Sequence, residues 1–210
     1  MTLPITRDCA ACSNGDTAYP QSPVRLVGGM VSLLREYFSN PENIPEPSLR
    51  KFTWNPGDDS NILIEALTRK LDNTTMKRPA ILVKRGPFYK SRKIALADTV
   101  TTFGDNPKEV RIGVFDGTLI LWCLGANAIQ AEYVADTIVN FITSFQHQIR
   151  NALCLLSLEF TEMGDVRLLP DAGDAFGVPV VFKSAYQSLW EINTVGPGVR
   201  KINFSVNAEI

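Results

Sequence analysis

The stretch Glu109–Arg150, EVRIGVFDGTLILWCLGANAIQAEYVADTIVNFITSFQHQIR, changes its apolar period from two residues to about 3.6 along its length, and that change decides the fold class. Glu109–Phe115 and Thr118–Gly125 are rich in β-branched and aromatic residues and flank Asp116-Gly117. Asp-Gly between two such runs is a two-residue turn signal, so a hairpin is predicted. Ala126–Arg150 follows as the longest predicted helix, about 36 Å long at about 1.5 Å per residue. Ala131, Val134, Ala135, Ile138, Ile142, Phe145 and Ile149 form its apolar stripe. Glu132, Asp136, Asn140, Thr143 and His147 occupy the opposite face. With Glu132, Asp136 and Arg150 as its only charges, the helix is expected to have part of its second side covered.

Upstream, Val24–Phe38 is predicted as a helix, with Val27, Met30, Val31, Leu34 and Phe38 at helical spacing, Pro23 at its start and Asn40-Pro41 as its stop. Met1–Pro23 reads as a leader or arm, and residues 24–210 as a single domain. Asn40–Asp59, with four prolines, is a predicted long loop in which Phe52 and Trp54 alternate as in a short strand. Ser60 suits the cap of a helix through Leu71, but β-branched Ile62 and Ile64 equally suit a strand. Pro79–Arg85 and Ile94–Phe103 are predicted strands, with Gly86-Pro87 as a turn after the first.

Downstream, Ala152–Glu162 is a predicted strand and Gly164–Gly177 an acidic loop. Val178–Ile192 is a predicted long strand with Val178, Val180, Phe182, Tyr186, Trp190 and Ile192 on one face, and Val199–Val206 a final strand. The sum is an α+β fold: a mostly antiparallel sheet packed by one long and one or two shorter helices.

The 210 residues suffice for one core and for burying roughly 70% of the extended chain's surface. Lys+Arg is 21 against Asp+Glu 22, a net charge of −1, which argues against binding nucleic acid by bulk charge. No apolar run is long enough for a membrane span, and Met1–Gly15 has no signal-peptide core, so the chain is expected to be made and kept in a cytoplasm. Cys9 and Cys12 form a lone C-A-A-C without a second pair; Cys123 and Cys154 lie in apolar runs and read as small buried hydrophobes.

The chemistry-bearing residues form no catalytic pattern. The single histidine, His147, excludes a site built on several histidines, and no G-x-S-x-G elbow presents a serine to it. Phosphate-cradling glycine motifs are absent. Asp58, Asp59, Asp165, Asp171 and Asp174 share no helix face or strand end at a spacing suited to metal or general-acid work. No catalytic, cofactor or metal site is therefore expected. Half of the residues from Lys84 to Lys93 are basic (Lys84, Arg85, Lys90, Arg92, Lys93), with Phe88 and Tyr89 between them. Basic plus aromatic is a nucleic-acid pattern, and it is also the pattern of a charged strand edge that repels other sheets. The near-neutral total favours the edge.

The order of elements carries a resemblance. The helix Val24–Phe38 leads into a Pro-rich loop, then into the run Arg78–Gly86 (RPAILVKRG); the strand Leu119–Gly125 feeds the helix Ala126–Arg150, and the acidic loop and the strand through Trp190 follow. Over residues 24–192 this order resembles the tail terminator and neck proteins of tailed bacteriophages; the leader and the last strand depart from the smallest members. The resemblance implies a structural virion protein of the tail or neck, assembled in the host cytoplasm. It implies a homo-oligomeric ring, commonly of six subunits, between the tail tube protein and the head-side connector or neck protein, with double-stranded DNA passing through unbound. In that setting Lys84, Arg85, Lys90, Arg92 and Lys93 are expected at a partner or subunit contact, and Asp165, Asp171 and Asp174 in a channel-facing loop. A nucleic-acid-binding module using Lys84–Lys93, a baseplate component, and a metal-dependent hydrolase are the alternatives.

Overall fold

A computed structural model describes residues 22–57, 60–67, 79–91, 99–101, 108–169 and 175–193. In chain order the elements are α1 (Pro23–Ser39), β1 (Leu63–Ala66), β2 (Ala80–Lys90), β3 (Thr99–Thr101), β4 (Lys108–Gly125), α2 (Ala128–Ser144), α3 (Gln146–Ala152), β5 (Leu155–Met163), β6 (Arg167–Leu169) and β7 (Ala175–Asn193). All seven strands belong to one sheet of order β1-β2-β4-β7-β5; β3 pairs with β4 and β6 with β7. Among the described strands only β1 and β2 run parallel, so the fold is α+β with a mostly antiparallel sheet.

The expected hairpin at Asp116-Gly117 is not formed: β4 runs straight through it. Asp116 pairs with Ala185 on one side and Tyr89 on the other, and Gly117 with Ser184 and Phe88. A turn there would have to break both ladders at once, so long partners on each side override a local turn preference. Gly86-Pro87 is likewise no turn. It lies where the β2–β4 register shifts between Arg85 and Phe88, a bulge that tolerates a residue lacking N–H. Of the predicted strand Ile94–Phe103, Thr99–Thr101 is present as β3, and the remainder lies outside the described residues, as does Val199–Val206.

α1 and α2 cover one face of the sheet. Their buried residues, among them Met30, Leu34, Phe38, Val134, Ile138 and Ile142, meet Ile81, Val83, Leu119, Leu121, Val180 and Phe182 in one cluster. The pleat explains the choice: alternate residues of each strand face the helices, and those positions hold the aliphatic and aromatic side chains. Each such side chain contributes about 1.5–3 kcal/mol when fully buried. Tyr37 stacks on Phe141 at 4.0 Å between centroids and joins the two helices.

The long predicted helix is two. α2 ends at Ser144 and α3 begins at Gln146, with Phe145 at φ −107°, ψ 20° between them. Phe145 packs partly buried against the core, and the break lets Ile149 bury as well. Gln146 Nε2 donates to the Leu158 carbonyl and ties the junction to β5. The predicted outer face holds: Glu132, Asp136, Asn140, Thr143 and His147 are exposed.

Ser22 is the N-cap of α1, its hydroxyl accepting from the Arg25 N–H at 3.3 Å, so the helix begins just inside the segment read as a leader. The Pro-rich loop is held rather than loose. The Tyr37 hydroxyl donates to the Asn43 carbonyl at 2.7 Å, and Ile44 and Leu49 are buried. Phe52 and Trp54 form no strand; single backbone bonds, Trp54 N–H to the Phe38 carbonyl and Asn61 N–H to the Thr53 carbonyl, fasten the segment. Residues 63–66 are a strand, as β-branched Ile62 and Ile64 favoured. Arg35 Nε donates to the outward carbonyl of Ile64 at 3.0 Å, while its guanidinium lies 5.2 Å from the Trp54 ring centre. Among the described residues no helix is long and apolar enough to cross a membrane.

Candidate functional site

The basic segment is the outer half of β2. Alternation divides it: Lys84 pairs with Ile120 and Tyr89 with Asp116, whereas Arg85 pairs with Leu119 and Lys90 with Phe115. In an antiparallel pair facing residues share a face, so Lys84 and Tyr89 stand on the face away from the helices, and Arg85 and Lys90 on the helix face. What these side chains share is an edge. β1 pairs with β2 only at Ala80–Val83, and among the described residues no strand pairs the outer side of Lys84–Lys90. Lys84, Arg85, Tyr89 and Lys90 are exposed. Arg92 and Lys93 lie outside the described residues.

Where it is described, the predicted acidic loop Gly164–Gly177 includes two pieces of strand, 167–169 and 175–177. These are β6 and the start of β7, and β6 continues the line of β5 along β7. Gly164 N–H bonds the Pro179 carbonyl at 2.8 Å, and the chain resumes pairing at β6; residues 170–174 lie outside the described residues. Asp165 is exposed between β5 and β6; Asp171 and Asp174 lie outside the described residues, as do Asp58 and Asp59.

Two surfaces escaped the sequence reading. The first is β5, at the other margin of the sheet, which exposes Leu156, Glu159, Phe160, Glu162 and Met163. Phe160 is 44% exposed although its ring sits edge-on to Phe182, and a shallow dent between it, Ile142 and Leu158 opens beside it. The signal was the run Leu155–Met163 (LLSLEFTEM), in which apolar and acidic residues do not separate cleanly onto two faces. The second is the face away from the helices, where Leu82 and Leu124 are buried among Leu63, Leu67, Trp122 and Leu169.

Among the described residues no three of His, Cys, Asp and Glu come together as metal ligands. The ring of His147 lies on the exposed face of α3, 3.3 Å from the Asn151 amide. Cys123 is a free, fully buried thiol, and burial pushes its pKa far up, so it is held as a neutral apolar group. Cys154 differs from expectation: it is half-buried, has φ 52° and is disulfide-bonded. Burial likewise raises Tyr37 and Tyr186. No protein-family model matches the chain, and no curated protein sequence does.

Proposed function

We propose that the chain is a structural virion subunit of the tail terminator or neck type, forming a ring that joins the tail tube to the head-side connector around the DNA channel. The observation that carries this reading is β5. An edge strand with Leu156, Phe160 and Met163 in solvent is a liability for a protein that stays alone and a contact for one that assembles. The charge balance of −1 suits a channel through which duplex slides, and exposed carboxylates such as Asp165 on its wall would repel phosphates. In this role the chain does no catalysis, holds no cofactor or metal, and touches DNA without reading it.

Two measurements test the proposal. Peptide mass fingerprinting of purified virions, with antibody labelling in electron micrographs, should place the chain at the tail or neck; its absence from virions would overturn the assignment. Solution mass should exceed that of one 23.2 kDa chain. A second reading, a nucleic-acid-binding module, is favoured by Tyr89, 61% exposed beside Lys90. It requires gel shifts that weaken steeply with salt.

A further inference from the structure

Opposite margins of the sheet carry opposite charge. On the β5 margin Glu159 and Glu162 stand exposed on a strand whose outer side no described strand pairs. On the β2 margin Lys84 and Arg85 stand exposed on a stretch equally open among the described residues. Each margin also holds apolar groups in solvent, Tyr89 on β2 and Leu156, Phe160 and Met163 on β5. The third open margin, the outer side of β1, is occupied at its Ile64 carbonyl by Arg35.

Strand directions add a geometric condition. β2 is antiparallel to β4, β4 to β7, and β7 to β5, so β2 and β5 run in opposite senses. A second copy turned about an axis along the strands therefore brings its β2 beside β5 of the first in antiparallel register. The helix layer stays on the same side in every copy. Backbone groups open on each margin then find partners; Glu159 and Glu162, paired with Lys183 and Val181 on the face away from the helices, meet Lys84 on that face, while Arg85, on the helix face, comes to the side of Phe160 and Met163.

We infer that the outer half of β2, around Lys84 and Arg85, is the docking strand for β5 of a second copy of this chain, in a head-to-tail contact that repeats. One interface type that closes by rotation makes a ring. The inference rests on the ring reading above and names its contact; it assigns the basic segment to a neighbouring subunit rather than to DNA.

The test uses the full chain and light-scattering mass. The wild type is expected at a multiple of 23.2 kDa. The variant K84E/R85E, acidic on both margins, and the variant E159K/E162K, basic on both, should each fall to the mass of one chain with unchanged circular dichroism. An equimolar mixture should recover assembly, because each acidic margin then faces a basic one. Oligomers that persist in both variants would overturn this interface and leave the ring standing. A wild type that is monomeric at every concentration would overturn the ring and the contact together, and would assign the glutamates to guarding the edge. Rings with this contact in a protein absent from virions would overturn only the virion assignment. If K84E/R85E keeps its mass but loses retention of duplex DNA, the β2 margin belongs to nucleic acid and the inference fails.

Discussion

The ring of Phe88 lies over Gly117 on the adjacent strand, in the space that a Cβ on residue 117 would fill. The glycine is thus a seat for an aromatic ring rather than a hinge, and the ring packs back toward Tyr186, 5.8 Å away. Gly117→Val should destabilise the protein by about 1–3 kcal/mol through overpacking. Adding Phe88→Ala should recover part of that loss. Urea unfolding of the single and double variants checks the coupling; strictly additive losses would mean that the two residues do not interact.

Ser184, directly across from Gly117, is buried with its hydroxyl unpartnered. An unsatisfied buried polar group costs about 1–3 kcal/mol. Ser184→Ala should therefore stabilise the fold, by about 1 kcal/mol, in the same unfolding measurement. A loss of stability would show that the hydroxyl finds a partner in solution.

Ile142 is 1% exposed and Phe141 2% exposed, one on the sheet and the other against Tyr37. Ile142→Ala should cost about 2–5 kcal/mol and Phe141→Ala about 3–5. A change within about 0.5 kcal/mol for either would place the side chain in solvent.

Asn127 and Gln130 cap α2 reciprocally. The Asn127 side chain accepts from the Gln130 N–H at 2.8 Å, and the Gln130 side chain accepts from the Ala126 N–H at 2.7 Å. Asn127→Ala should cost about 0.5–2 kcal/mol, and Asn127→Asp much less. Calorimetric melting of the two variants separates the cap from a general effect of substitution.

Burial raises the Tyr37 phenol above its ordinary value of about 10, and its hydroxyl donates to the Asn43 carbonyl. The unfolded chain ionises this group first. Its stabilising effect is therefore complete below about pH 10 and is lost as pH rises toward the folded value. Tyr37→Phe should lower stability by about 1 kcal/mol at neutral pH by removing the hydrogen bond. It should also flatten the alkaline decline. Denaturation midpoints near pH 8 and near pH 11 check both, and an unchanged alkaline slope would point to other groups.

The elements that the sequence made legible are those whose signal repeats over many residues. Val27, Met30, Val31, Leu34 and Phe38 marked α1, the stripe from Ala131 to Ile142 marked α2, and alternation from Val178 marked β7. Two misreadings came from short signals. Asp116-Gly117 and Gly86-Pro87 are turn dipeptides in isolation, but the first is paired on both sides within β4 and the second sits in a bulge flanked by paired residues of β2, and the ladders outweigh local preference. The break at Phe145 has no helix-breaking residue; it follows from tertiary packing of Phe145 and Ile149, which no single-sequence period records. Of the proposed contact, the basic half was legible as a cluster at Lys84–Lys93. The acidic half was not, because Glu159 and Glu162 gain meaning only when β5 is seen at the opposite margin of the sheet.

The pairing of β4 with β7 also sets how the chain must fold. The nearest partners, Gly125 and Phe176, are 51 positions apart, and the farthest, Lys108 and Asn193, are 85 apart, with α2, α3, β5 and β6 threaded between. No part of this central ladder is local, so closing the intervening loop has to be met before any of its hydrogen bonds form. Refolding therefore belongs on the milliseconds-to-seconds scale of high-contact-order proteins rather than the microseconds of helical bundles. During that interval the apolar margin of β5 has no β7 beside it. A nascent subunit is then most vulnerable to pairing with the wrong chain, and low concentration or early capture by a correctly folded neighbour would protect it.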